Sequence, residues 1–235
     1  MSTPFFHFKK FTVRHDRCAM KIGTDGVLLG AWSAVANRQR ILDVGTGTGL
    51  IALMMAQRNP TARITALEID PDASLQAREN VSASPWAGRV TVRQNDFKTY
   101  TTEKKFDLIV SNPPFFTHSL TGPDHKRNLA RHTGELTYAD LLQRSVDLLE
   151  QTGELDIIFP AAEENSIKEQ AMSLGLFPNR QLSICPTPDS AVKRVLLGLS
   201  FSGKEYIPEE MIIETARHRY SEAYISLTKE FYLKI

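Results

Sequence analysis

Along the chain, short solid apolar runs recur at Arg40–Val44, Arg63–Glu68, Val90–Arg93, Phe106–Val110 and Leu155–Phe159. Runs of this length bounded by turn residues read as buried strands. Between them lie segments with helical spacing. Leu50–Arg58 follows the first run closely, Pro71 opens a helix to about Ser82, and Glu163–Leu174 forms another. Tyr138–Leu149 is amphipathic, with Leu141, Leu142, Val146 and Leu149 on one face. Upstream, Thr24 or Asp25 can cap a short apolar helix at Gly26–Val35. Alternating strands and helices predict right-handed βαβ units and a mostly parallel sheet with helices on both faces. The last two runs, Gln181–Cys185 and Val192–Phe201, flank Pro186-Thr187-Pro188-Asp189-Ser190. They predict a hairpin with a five-residue loop, which places one antiparallel strand in the sheet. No linker-like stretch divides the chain. The expectation is a single α/β domain over residues 1–235, with a short basic and aromatic N-terminal extension at 1–36 and the core at 37–235.

Composition changes this picture little. A chain of 235 residues with 42% hydrophobic and 23% charged residues has an ordinary globular make-up. A net charge of +1 means that any basic surface must come from local clustering. Cys18 and Cys185 form neither metal-ligand spacing nor a disulfide framework, so a reducing cytoplasm is the expected compartment. The six histidines also lack metal-ligand spacing, and no metal is expected. No run approaches the ~18 apolar residues of a membrane span. The segment MSTPFFHFKKF has no continuous apolar stretch of the signal-peptide kind.

The chemistry gathers at the ends of the predicted strands. Asp43-Val44-Gly45-Thr46-Gly47-Thr48-Gly49 joins the first core strand to its helix. Its glycines, at every second position, permit positive φ and close approach of a ligand to the backbone. Asp43 can hold a cationic amino group, directly or through water. Glu68 ends the second strand, where an acidic side chain can accept from both hydroxyls of a ribose. Asp70 beside Pro71 reads as a helix cap. After the third strand, Asp96 can accept from an adenine amino group and Phe97 can cover the ring. After the fourth comes Asn112-Pro113-Pro114-Phe115. The Asn112 side-chain oxygen and a backbone carbonyl can each accept one N–H of a planar exocyclic amine. The prolines stiffen the turn, and Phe115 offers a flat face for a base. All these groups fall at the carboxyl edge of the sheet, where α/β ligands bind.

These motifs resemble the class I S-adenosylmethionine-dependent methyltransferases. Leu42–Gly49 is similar to their glycine-rich motif, Ala66–Asp70 to their ribose-binding acidic motif, and Ser111–Phe115 to the motif of the amino-methylating branch. Lys21–Trp32, the Asn-Pro-Pro-Phe form and the tail Ser221–Ile235 resemble more closely the tRNA adenine-N6 methyltransferases that act beside the anticodon of a valine tRNA. The resemblance implies a Rossmann-like methyltransferase fold with seven strands, the last reversed, and S-adenosylmethionine as cofactor. It implies that Lys21 and Thr24 lie over the methionine end, with Asp43, Gly45, Thr46, Gly47, Gly49, Glu68, Asp96, Phe97 and Asn112 around the cofactor. Asn112, Pro113 and Phe115 would carry catalysis.

An anticodon loop of tRNA is the expected partner, met as single-stranded RNA. Candidate phosphate contacts are Lys9, Lys10, Arg14 and Arg17 in the extension, and Lys126, Arg127 and Arg131 in the long connection after the catalytic turn. The Phe side chains of the extension read as docking it on the sheet. Arg217, His218 and Arg219 are a third basic group or a solvated helix face. A monomer is favoured. Guanine-N2 methylation of rRNA, glutamine-N5 methylation of protein, and a non-catalytic RNA-binding protein on the same fold are the alternatives.

Overall fold

The computed structural model describes residues 3–18, 20–114 and 136–234. Its centre is an eight-stranded sheet of β3 (Arg40–Val44), β4 (Arg63–Glu68), β5 (Val90–Gln94), β6 (Phe106–Ser111), β7 (Leu149–Pro160), β8 (Phe177–Cys185), β9 (Arg194–Ser200) and β10 (Glu209–Ile212). The strand order is β10-β8-β9-β7-β6-β3-β4-β5. Only β9 is antiparallel to its neighbours β7 and β8. β3 is therefore the point from which the chain builds first toward β5 and then, through β6, toward β7. Such a reversal opens a crevice at the carboxyl ends of the strands.

Period-two burial divides the core between the two faces of the sheet. Ile41, Ile64, Ala66 and Val110 pack with residues of α1 (Thr24–Trp32) and α2 (Leu50–Arg58), and Val81 of α3 (Pro71–Ser82) joins the same cluster. Leu42, Val44, Leu67 and Ile109 pack with residues of α4 (Tyr138–Leu148) and α5 (Glu164–Ser173). The short helix α6 (Glu222–Thr228) closes the chain, capped by the Ser221 hydroxyl, which accepts from the Tyr224 N–H at 3.1 Å. Asp70 is the N-cap of α3, accepting from the Ala73 N–H at 2.7 Å, with Pro71 in the first turn.

Several expectations need correction. The sheet has eight strands rather than seven, because the short β10 adds in parallel to β8 at the edge. Thr24 does not cap α1: it is the first helical residue, and the cap position is Gly23, with no side-chain hydrogen bond. Leu149 begins β7 instead of ending the preceding helix. The loop of the late hairpin is longer than five residues, since β8 ends at Cys185 and β9 starts at Arg194. Arg217–Arg219 is not helical: His218 has φ 62° in the turn between β11 (Glu214–Ala216) and β12 (Arg219–Tyr220).

The N-terminal extension is ordered by its rings. β1 (Phe5–His7) and β2 (Thr12–Arg14) form an antiparallel hairpin. Phe8 and Phe11 are buried and stack at 4.7 Å, and Phe11 meets Trp86 edge-on at 5.5 Å. This is the docking role read from the sequence. The cations of the extension are largely engaged. Lys9 donates to the Lys229 carbonyl at 2.5 Å, Arg17 pairs with Glu79 at 2.9 Å, and Arg14 lies 3.8 Å from Asp16. Lys10 is exposed. Among the described residues no helix is long and apolar enough to cross a membrane.

Candidate active site

At the carboxyl end of β3, the turn Gly45–Gly49 runs into α2. Gly45, Gly47 and Gly49 have φ of 67°, 54° and 82°. A Cβ at Gly45 or Gly47 would meet nothing within 4 Å. Glycine is therefore needed there for the left-handed backbone, not to relieve crowding. The turn is held from three sides. The Thr46 N–H donates to the Leu67 carbonyl at 2.9 Å, the Gly47 N–H to Glu68 Oε2 at 2.8 Å, and Asp43 Oδ2 accepts from Thr46 Oγ1 at 2.5 Å and the Ala52 N–H at 3.1 Å.

Above this turn lies a cavity of about 900 Å³, the size of a cofactor site. Its wall brings together most of the residues that the sequence singled out: Lys21, Thr24, Gly45, Thr46, Gly47, Glu68, Asp96, Phe97, Asn112 and Pro113. Gly49 is not on the wall; it forms the left-handed N-cap of α2. Asp43 is not there either. It is fully buried beneath the turn, with Oδ1 lacking any hydrogen-bond partner among the described residues. Burial is the main reason its carboxyl is pushed up to about 7, with hydrogen bonds from Thr46 and Ala52 opposing the rise. Asp43 thus holds the turn from beneath and does not line the cavity.

Glu68 faces the cavity with both oxygens already oriented, Oε2 by Gly47 and Oε1 by the Asp70 N–H at 3.0 Å. A carboxylate has about four lone-pair sites, so each oxygen can still accept from a hydroxyl. Asp96 Oδ1 accepts from the Lys98 N–H at 2.8 Å. Phe97 is buried at the same end of the wall. Asn112 is half-buried, and its amide oxygen has no donor among the described residues. Pro113 behind it is buried, and Ser111 Oγ ties the strand end to the Val44 carbonyl at 3.0 Å. Phe115, Lys126, Arg127 and Arg131 lie outside the described residues.

The sequence reading missed some of the wall. Cys18 contributes a thiol pushed up to about 11, mainly by burial and then by Glu68, Asp70 and Asp16. Asp25 lines the cavity while accepting from Arg194 Nε at 2.8 Å, which couples α1 to the start of β9. A pairing across that distance in the chain leaves no local sequence signal. Among the described residues no cluster of His, Cys, Asp and Glu could hold a metal ion.

A Rossmann-like sheet with a glycine turn, an acidic second-strand end and Asn-Pro-Pro on one cavity wall defines a methyltransferase architecture. The family model described as the methyltransferase small domain matches residues 21–169, and the chain belongs to that family. Among solved structures, a predicted O-methyltransferase from Agrobacterium tumefaciens superposes with TM-score 0.65 at 19% identity, covering 88% of this chain and 96% of that one. The glycopeptide N-methyltransferase MtfA, complexed with S-adenosylmethionine, gives 0.56 at 12% identity over 78% and 97%. At these identities the likeness shows the fold.

The closer relatives are full-length. The tRNA1(Val) (adenine(37)-N6)-methyltransferase of Bacteroides thetaiotaomicron is 51% identical, covering 100% of both chains. That of Phocaeicola vulgatus is 52% identical over the same coverage, and that of Trichodesmium erythraeum 48% identical over 97% of this chain and 98% of its own.

If Glu68 holds a ribose, Glu68→Gln leaves an N–H facing one of its present donors and removes the charge from the remaining hydrogen bond. The dissociation constant for S-adenosylmethionine should rise about 10-fold or more, as charge-assisted hydrogen bonds contribute roughly 1.5–3 kcal/mol. Isothermal titration calorimetry checks this, and an unchanged constant would remove Glu68 from the ribose position.

Proposed function

We propose that this chain transfers the methyl group of S-adenosylmethionine to the exocyclic N6 of an adenine in tRNA, at position 37 beside the anticodon of tRNA1(Val). The observation that carries amine methylation is Asn112: a half-buried amide at a strand end, backed by two prolines, with an oxygen that has no donor among the described residues. The choice of adenine in tRNA rests on full-length relatives of that printed activity at about half identity.

The residues present fit the cofactor. The open space over Gly45 and Gly47 admits a ligand against the backbone, Glu68 can accept from ribose hydroxyls, and Asp96 with Phe97 suits an adenine. S-adenosylmethionine, when bound, supplies an electrophilic methyl on a sulfonium. The chain's own work is positioning. Rotation about the Cβ–Cγ bond of Asn112, a soft torsion, aims its oxygen at the cavity, where it accepts one N–H of the incoming amine. The Pro113 carbonyl accepts the other. Two acceptors draw the nitrogen toward tetrahedral geometry and expose its lone pair. The nitrogen so exposed would be the nucleophile toward that methyl, and Asn112 and the Pro113 carbonyl would hold it until it gives up a proton that has become acidic. No strong general base is needed, and the acceleration comes from orientation and from acceptors for the developing positive charge. A base in an RNA loop is cheaper to turn out than a paired one.

The test supplies radiolabelled methyl donor with bulk unmodified tRNA, followed by nucleoside digestion and mass spectrometry. Label in N6-methyladenosine is expected. Label in N2-methylguanosine, or none in tRNA while the cofactor binds, overturns the substrate.

A further inference from the structure

A second groove of about 430 Å³ runs over β4 and β5, from Arg40 and Arg63 at the amino-terminal end of the sheet to Arg93, the register partner of Leu67. Its lining includes Arg40, Arg63, Arg89, Arg93 and Lys104 with one carboxylate, Glu103, in a chain whose net charge is only +1. Its origin is visible in the strands. Ile64 and Ala66 turn toward α2, so Thr65 takes the other face, and its register partner Thr91 and the nearby Arg93 share it. Farther along the sheet that face is covered by α4 and α5; over β4 and β5 it is bare enough to leave polar side chains on strands.

The five cations are not equivalent. Arg89 donates to the carbonyls of Ala56, Asn59 and Ala62, so it closes the end of α2. Arg40 donates to the carbonyls of Lys104 and Lys105 and lies over the Phe106 ring. Arg63 and Arg93 are exposed, and among the described residues their side chains make no hydrogen bond or ion pair. Two unengaged guanidinium groups beside the threonine hydroxyls of a positively charged trough are the donor set that takes phosphate oxygens.

We infer that this groove holds the phosphate backbone of the RNA substrate, on the stem side of the loop that delivers its base to Asn112. The inference rests on the proposed tRNA substrate. From Glu68, on the cavity wall, to Arg63 is the length of β4, roughly 17 Å at 3.3 Å per residue, a separation that a folded stem-loop spans while its loop stays in the cavity. Because A-form stems are recognised through backbone and shape, the groove adds affinity without reading sequence.

The experiment compares wild type with the Arg63→Ala/Arg93→Ala double variant, each titrated with tRNA across a range of salt and assayed for methyl transfer and cofactor binding. The expected result is about 10-fold weaker tRNA binding and a log–log salt slope shallower by about 1.5, since each lost phosphate contact removes roughly 0.7–0.9. The rate at saturating tRNA and the cofactor affinity stay at wild-type values, which also shows that the variant is folded. Arg63→Lys/Arg93→Lys restores most of the binding, and Glu103→Gln tightens it. Wild-type affinity and salt slope in the double variant, with tRNA methylated by wild type, would overturn the groove alone. No methylation of tRNA by wild type would overturn the substrate reading on which it rests.

Discussion

Asn112→Ala should lower methyl transfer by about 10²–10³-fold, the usual cost of removing one hydrogen bond made in the transition state, while S-adenosylmethionine binding changes little. The reasoning starts from an oddity of the folded chain. Buried acceptors are nearly always paired, yet among the described residues the Asn112 oxygen has no donor although it is closed off from solvent. Such a group costs the fold roughly 1–3 kcal/mol, and proteins keep this kind of cost where function requires it. A substrate amine brings the missing donor. The variant should therefore separate two quantities that usually fall together: activity collapses while the thermal midpoint of the ligand-free protein holds or rises. Single-turnover kinetics with saturating tRNA and donor isolates the chemical step, and a thermal melt reads the second quantity. Wild-type-like turnover by this variant would sink the scheme. A large drop in the melting midpoint would show Asn112 to be a structural turn residue.

Much of this site could be read from the chain because its parts are local. Arg40–Val44, Arg63–Glu68 and Pro71–Ser82 carry both their periodicity and their stop signals, and the structure places them at those bounds. Since every parallel strand delivers its carboxyl end to one edge, motifs far apart in sequence converge without further information. What sequence concealed is non-local. β7 was legible only at Leu155–Phe159, because its earlier residues look polar: Glu154 pairs there with Arg180, and Arg38 adds a bond to it at 3.0 Å. Arg180 in turn lies 3.7 Å over the Trp32 ring, a contact between residues 148 positions apart. β10 reads Glu-Glu-Met-Ile and buries only Met211, so nothing periodic marks an edge strand. The direction of Asp43 was hidden for a related reason. A carboxylate next to a glycine turn suggests a ligand, but the strand's alternation and the tight turn send it inward, and only the finished packing shows this.

That inward carboxyl gives the second large effect. In the folded chain Asp43 is pushed up to about 7 by burial, against an ordinary value of 3.8. Below about pH 4 the group is protonated in both folded and unfolded chains. As pH rises from there to about 7, the unfolded chain has released a proton that the fold still holds, so stability falls with pH, by up to about 1.4 kcal/mol per unit. Above about 7 the penalty is constant. Asp43→Asn should erase this slope: the variant matches wild type near pH 4 and is the more stable near pH 8, as denaturant unfolding at several pH values would show. Cofactor binding should move the opposite way. A cationic amino group seated on the glycine turn favours the ionised form of the carboxyl beneath it, so binding near pH 6 should release a proton from wild type and none from the variant, with affinity about 10-fold weaker in the variant. Calorimetry in two buffers of different ionisation enthalpy counts that proton. If the variant keeps the wild-type pH slope of stability, Asp43 is already ionised in the free fold, and the carboxyl acts as a fixed charge under the turn rather than one that the cofactor switches on.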